Sequence, residues 1–384
     1  MKVNNSAHFK LLCLSLSSDE RGVAGDAEML IASNSKSWDE LCVTAEIHAV
    51  RPQLLSLLRK VNPSLVPSAV LTNLDTAVKE NLYQQLRLLG EFFAIVKMLE
   101  EVGVRVIPFK GFSLGINFYK DLAERESADV DLFIHAKDLA NARQLMYDRS
   151  YVAEAPLGDL TDDYILSDLC EFNFDRYDDS IRAFHVEMHW RPGMTALGMD
   201  INLQALENQV IRQQVQQQYV EMFSASAHLL LIILHHGGKD QFCQLKQIMD
   251  ISRVLNKAAE IDWIWVCTTL KQYNAEKLLY VGVRVASIIT GVAIPAAIKH
   301  KADNREVEGL ALNRIRMLEG RQSWEDIKKT GMADLQFRLR TTTSGRLRMN
   351  LITTELRTMT RNLLPAKFHP YFFNKNIRRG SGAI

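Results

Sequence analysis

The chain has 384 residues, 47% of them apolar and 24% charged, with a formal net charge of +1. That composition excludes a globally disordered chain, and the near-neutral balance gives no whole-chain reason to expect a nucleic-acid or membrane partner. The length allows two domains, or one domain with large additions.

Residues 1 to about 35 are mixed in character, and "LLCLSLS" is too short for the apolar region of a signal peptide. The five cysteines are scattered and form no CxxC, which points to free thiols in a reducing, cytoplasmic setting. From "SWDELCVTAEIHAVRPQLLSLLRKV" onward the pattern is helical. Leu82, Leu86, Leu89, Phe93, Val96 and Leu99 recur at spacings of three and four and form one apolar stripe, with Gly103 as the stop.

The period then changes. "VRVIPFK" is a short buried strand, "SLGINFYKDL" a short helix, "DVDLFIH" a second strand and "AKDLANARQLMYDRS" a helix with Leu139, Leu145 and Met146 inward. "EFNFDRY" and "AFHVEMHW" alternate as strands and pair across the turn "DDSI". After "RPGM" strand signals nearly vanish, and successive helices are jointed at Gly237, Gly238 and Asn274.

Residues 278–298 are long enough to span a membrane, but Arg284 lies inside them and Gly291 and Pro295 break the second half. A buried helix followed by a turn is expected, with no membrane span. From Gly331 to the end there are ten Lys/Arg against two Asp/Glu. Such a basic block attracts phosphate, nucleic acid or anionic lipid, or is a solvated helical surface. The expected class is α+β: an N-terminal helical region (1–103), a small mixed-sheet core (104–192), a helical domain (193–300) and an Arg-rich helical region (301–384).

The chemistry gathers in the sheet. Alternate strand side chains share a face, so Asp129 and Asp131 point together out of an apolar run. Two adjacent carboxylates repel and are costly to bury, unless a divalent cation lies between them. Mg²⁺ takes such oxygen ligands together with substrate phosphates. In "FHVEMHW", His185, Glu187 and His189 share a face, and Glu187 joins the aspartates if this strand lies beside "DVDLF". The same His-Glu-His face could instead hold zinc. Upstream, Gly111 of "KGFS" permits close backbone approach and Ser113 can cap a helix start that favours phosphate. Lys110 or Arg125 could neutralise phosphate charge.

This order resembles the DNA polymerase β-like nucleotidyltransferase superfamily. More closely it resembles an uncharacterised bacterial nucleotidyltransferase family, through Lys110, Gly111, Leu114, Tyr119, Arg125, Asp129, Val130, Asp131 and Leu132, then Glu187, His189 and Trp190. A later helical stretch is similar through His235 or His236 and Asp250, and the likeness covers roughly residues 40–300. The resemblance implies Mg²⁺ (or Mn²⁺) on Asp129, Asp131 and Glu187, with Glu187 also a candidate general base. It implies a triphosphate held by Gly111 and Ser113, and transfer of a nucleoside monophosphate from an NTP such as ATP to an acceptor. The acceptor would be a small molecule, peptide or protein, as in biosynthetic tailoring. Two other readings stand beside it: a non-catalytic nucleotide-binding protein, and a nucleic-acid-directed enzyme using the basic tail.

Overall fold

A computed structural model of the chain describes residues 7–18, 21–33, 37–154, 157–193, 198–328 and 332–363. Lys367, Lys375, Arg378 and Arg379 of the basic block lie outside the described residues. Helices α1 (Ala7–Ser15), α2 (Val23–Ala32), α3 (Trp38–Ile47) and α4 (Arg51–Leu58) lead into α5 (Ser68–Glu101).

The sheet follows. Its strands are β1 (Ile107–Pro108), β2 (Val130–Phe133), β3 (Val152–Ala153), β4 (Glu171–Asp178) and β5 (Ile181–His189), in the order β1-β2-β5-β4-β3. Helices α6 (Gly111–Phe118), α7 (Leu139–Asp148) and α8 (Asp162–Asp168) intervene. As expected, β4 and β5 form an antiparallel hairpin, turning through Asp179 and Ser180, both in the left-handed region. The decisive pairing is β2 with β5: they run parallel, and Asp131 stands opposite Glu187.

Two expectations are corrected. The buried face of α5 carries Asn81, Gln85, Leu88, Leu89, Phe92, Ile95 and Leu99, whereas Leu86 is exposed and Phe93 only partly buried. The face is rotated because two polar residues on it have specific partners. The Asn81 amide donates to the carbonyls of Ala123 (2.9 Å) and Arg125 (3.3 Å). The Gln85 amide donates to the Ser127 carbonyl at 2.8 Å and to Asn81 Oδ1 at 3.1 Å. Gln85→Leu keeps the volume but leaves these acceptors unpaired. It should cost about 1–3 kcal/mol in denaturant unfolding, and an unchanged midpoint would show that the carbonyl finds another donor.

The second correction is a further hairpin after the sheet, β6 (Val210–Val215) with β7 (Gln218–Phe223). Its glutamine-rich outer face hides the alternation, while Val215, Val220, Met222 and Phe223 are buried. Helices then continue as α9 (Ala225–Ile232), α10 (Leu245–Leu255), α11 (Trp263–Gln272), α12 (Glu276–Thr290), α13 (Lys299–Ala302), α14 (Arg305–Glu319), α15 (Trp324–Lys328), α16 (Met332–Thr341) and α17 (Gly345–Leu363). Helix α12 ends at Gly291, φ 74°, and its Arg284 pairs with Asp303 at 3.1 Å and Glu308 at 3.3 Å. No helix among the described residues is long and apolar enough to cross a membrane.

Apolar burial falls into two clusters. One joins the second half of α5 to the sheet, and the other joins α1–α4 to the helices after residue 198. The strand ends bearing Asp131 and Glu187 lie where these bodies meet: Phe109 and Phe133 belong to the helical cluster, while Val130, Leu132 and Val186 belong to the sheet's own.

Candidate active site

The approach to β2 is pinned at almost every residue. Arg125 forms a bidentate pair with Asp250 of α10, Nε to Oδ1 at 2.8 Å and Nη2 to Oδ2 at 2.9 Å. The Arg51 backbone N–H at the start of α4 donates to Glu126 at 2.9 Å, and its guanidinium reaches the same carboxylate. The Ser127 carbonyl is taken by Gln85, and its hydroxyl donates to Asp129 Oδ1 at 2.9 Å. Asp129 is thereby set one residue ahead of β2, partly buried, and Asp131 follows inside the strand at 2% exposure.

The two oxygens of Asp131 differ. Oδ1 is 2.8 Å from Lys110 Nζ and 3.3 Å from His189 Nε2. Oδ2 has no hydrogen bond or ion pair among the described residues and faces Gly111. Gly111 has φ +50°, and a Cβ there would lie 3.4 Å from that oxygen and 3.3 Å from Ser127 Oγ. Glycine therefore supplies both a backbone conformation disfavoured for other residues and the open space above the carboxylate.

Around this pair the charges alternate. Lys110 Nζ is also 3.4 Å from Glu187 Oε2 and 3.1 Å from His235 Nε2. His189 Nε2 is 3.2 Å from Glu187, and its Nδ1 is 3.2 Å from Glu171. Lys239 Nζ lies 2.6 Å from Glu171 Oε1. His185 Nδ1 is 2.7 Å from Asp175, with Nε2 3.6 Å from Glu187.

These contacts set the protonation states. Burial opposes the charge on Glu187, but Lys110 and the two imidazoles outweigh it and hold its carboxyl well below the usual range. Burial also opposes charge on His185, but Glu187 and Asp175 push it up to about 9. His189 is raised likewise by Asp131 and Glu187. Asp129 goes the other way: burial, Asp131 and Glu187 raise it, and they outweigh the opposing charges of Lys110 and Lys246. Both ring nitrogens of His185 and of His189 face carboxylates of the chain, Asp175 and Glu187 for the first and Asp131, Glu187 and Glu171 for the second.

The outer wall comes from a π-helical turn, Ile233–Lys239, which continues α9. Its wider turn delivers His235 to Lys110, His236 to Asp250 (3.1 Å) and Lys239 to Glu171. His235 is pushed down to about 4 by burial and by Lys110, so it is neutral and its Nε2 accepts from the ammonium. Gly237 and Gly238 are needed there, since a Cβ on either would strike Phe242 or Met199.

Of the residues expected at a phosphate site, Lys110 and Gly111 stand beside the aspartates. Ser113 is turned inward, its Oγ 3.0 Å from His228 Nε2, and Arg125 is buried against Asp250. Tyr119, part of the same motif, donates to Asp250 Oδ1 at 2.7 Å. Sequence reasoning missed Glu171, Lys239, Ser127 and Lys246. Only Glu171 carries a local signal, as an acid opening an apolar strand.

A cavity of about 900 Å³ opens at Asp129, lined also by Arg51, Lys79, Tyr83, Lys246 and Trp324. That volume lies within the range of ligand pockets, about 300–1,000 Å³. Lys246 is partly buried, and its ammonium makes no ion pair among the described residues. Oxygen donors suit a hard divalent cation: Asp129 lines this cavity, and two residues on, the open Oδ2 of Asp131 faces Gly111.

A search of curated proteins finds no match. Residues 34–291 match the model of a family described as uncharacterised nucleotidyltransferase, a span containing all of the side chains just placed around Asp131. With two thirds of its length matched, the chain belongs to this nucleotidyltransferase family.

Proposed function

We propose that the protein transfers a nucleoside monophosphate from a Mg²⁺-bound nucleoside triphosphate to an acceptor, releasing pyrophosphate. An acceptor atom bonds to the α-phosphorus, the bridge to the β-phosphate breaks, and the pyrophosphate leaves with the electron pair. Asp129 and Asp131 are the carboxylates for the divalent cation, and Glu187, paired with Lys110 and two imidazoles, stands beside them as the base. When bound, that cation would draw in the phosphate oxygens and offset charge on the leaving group. The single observation carrying this reading is the in-register pair Asp131 and Glu187 on parallel strands, with one Asp131 oxygen left open toward Gly111.

The chain's own groups divide the work. Gly111 keeps the approach to Asp131 clear. Lys246 meets phosphate from the cavity side, and the nucleoside extends toward Tyr83 and Trp324. Glu187 stays ionised at neutral pH, as a group receiving the acceptor's proton must be. Ser113 and Arg125 act from behind, fixing the start of α6 and the loop before β2.

Calorimetry of nucleoside triphosphate binding, with and without Mg²⁺, tests the reading. The wild type should bind only with Mg²⁺, and Asp129→Asn/Asp131→Asn should lose that binding. Nucleotide binding that ignores both Mg²⁺ and the substitutions would favour a nucleotide-binding protein without turnover, and no binding at all would overturn the reading.

A further inference from the structure

Two-metal phosphoryl-transfer sites place two cations about 3.5–4 Å apart on shared carboxylates. Here the position between Asp131 and Glu187 holds the Lys110 ammonium, 2.8 Å from one carboxylate and 3.4 Å from the other. We propose that Lys110 is a built-in replacement for one of the two metals, so that the protein takes one divalent cation, on Asp129 and the free oxygen of Asp131. This rests on the carboxylate-bound cation of the function proposed above and specifies how many cations the site takes.

Several observations carry it. Lys110 is 8% exposed, and its ammonium is fixed from a third side by His235 at 3.1 Å. His235 is oriented in turn by Asp240, whose carboxylate lies 3.1 Å from Nδ1. The backbone on either side is also fixed: Phe109 N–H donates to the Asp131 carbonyl at 3.0 Å, and the Lys110 carbonyl accepts from Ser113 at 2.9 Å. The ammonium cannot swing to solvent without leaving the buried Asp131 and His235 and the partly buried Glu187. A lysine that merely neutralised bound phosphate would face the cavity, as Lys246 does.

The two oxygens of Asp131 divide accordingly. Lys110 and His189 share Oδ1, and Oδ2 is left toward Gly111, where the Asp129 backbone carbonyl also lies. Glu187 is surrounded by Lys110, His185 and His189. Its charge is matched by the protein's own cations, whereas Asp129 has no ion pair among the described residues.

The test is a count of Mn²⁺ bound per full-length chain, by calorimetry and electron paramagnetic resonance, with the metal alone as probe. The wild type should bind one ion. Lys110→Met should bind two, with the spectrum of a coupled Mn²⁺ pair. Glu187→Gln should still bind one, with affinity within about threefold of the wild type, because Glu187 serves the ammonium. Two ions in the wild type, one in Lys110→Met, or lost binding in Glu187→Gln would each overturn the inference. Two ions in the wild type would leave the proposed function standing, whereas none would remove the metal reading on which both rest. If Lys110→Met does not fold, the wild-type and Glu187→Gln counts decide the matter alone.

Discussion

Replacing Asp250 with alanine is expected to destabilise the protein by about 3–5 kcal/mol, the range for removing one partner of a buried ion pair. Asp250 is fully buried and receives two bonds from Arg125 and one each from Tyr119 and His236. Its removal leaves a guanidinium charge in a dry site. The companion variant Arg125→Met/Asp250→Leu removes both charges and should cost less than Asp250→Leu alone, and a double-mutant cycle would measure the coupling. Additive effects would mean that the two side chains do not act as a pair.

The same group predicts an acid response. Burial pushes the Asp250 carboxyl up, but the Arg125 charge and the hydrogen bonds from His236 and Arg125 outweigh it and hold it far below the ordinary carboxylate value of about 4. A folded-state value below the unfolded one means that the stabilisation is complete above the unfolded value and is lost as pH falls toward the folded one. The stability contributed by this pair should therefore decline below about pH 4, and Asp250→Asn should flatten that part of the profile. An unaltered profile would place the acid sensitivity elsewhere.

The second large effect is at Gly111. Gly111→Val should lower nucleotidyl transfer about 100-fold, the scale expected when reacting groups are misplaced by about 1 Å. The first carbon of any side chain would lie 3.4 Å from Asp131 Oδ2, in the space assigned to the cation and its phosphate, and valine adds two methyl groups. The φ of +50° adds about 1–2 kcal/mol of backbone strain. Thermal melting would separate the two consequences: the strain alone lowers stability modestly, whereas loss of transfer with the fold intact identifies the blocked site. Transfer unchanged in a folded variant would contradict the placement of the cation beside Gly111.

Local pattern was enough to put Asp131 and Glu187 on the same side of their strands. Both interrupt apolar strands with the period of two that a sheet imposes, and the parallel pairing of β2 with β5 then places Asp131 against Glu187. The β4–β5 hairpin was legible for the same reason, because its turn and alternation lie within one short stretch. The buried face of α5 was not. Periodicity ranks apolar residues, and it assigns Asn81 and Gln85 to the outside unless the carbonyls they serve, some forty residues later, are known.

The neutralisation of the site is likewise a tertiary property. Lys110 meets Glu187 across 77 residues and His235 across 125, and Arg125 meets Asp250 across the same 125. No window of sequence contains those pairs. Residue identity established which side chains could carry charge on each strand face. Only the packing of α9, its π-helical turn and α10 around the sheet decided which charges are paired, which oxygen of Asp131 stays open, and that Ser113 turns toward His228. A strand sets the direction of its side chains locally, whereas the partner that satisfies a buried charge comes from whatever element the fold brings against it.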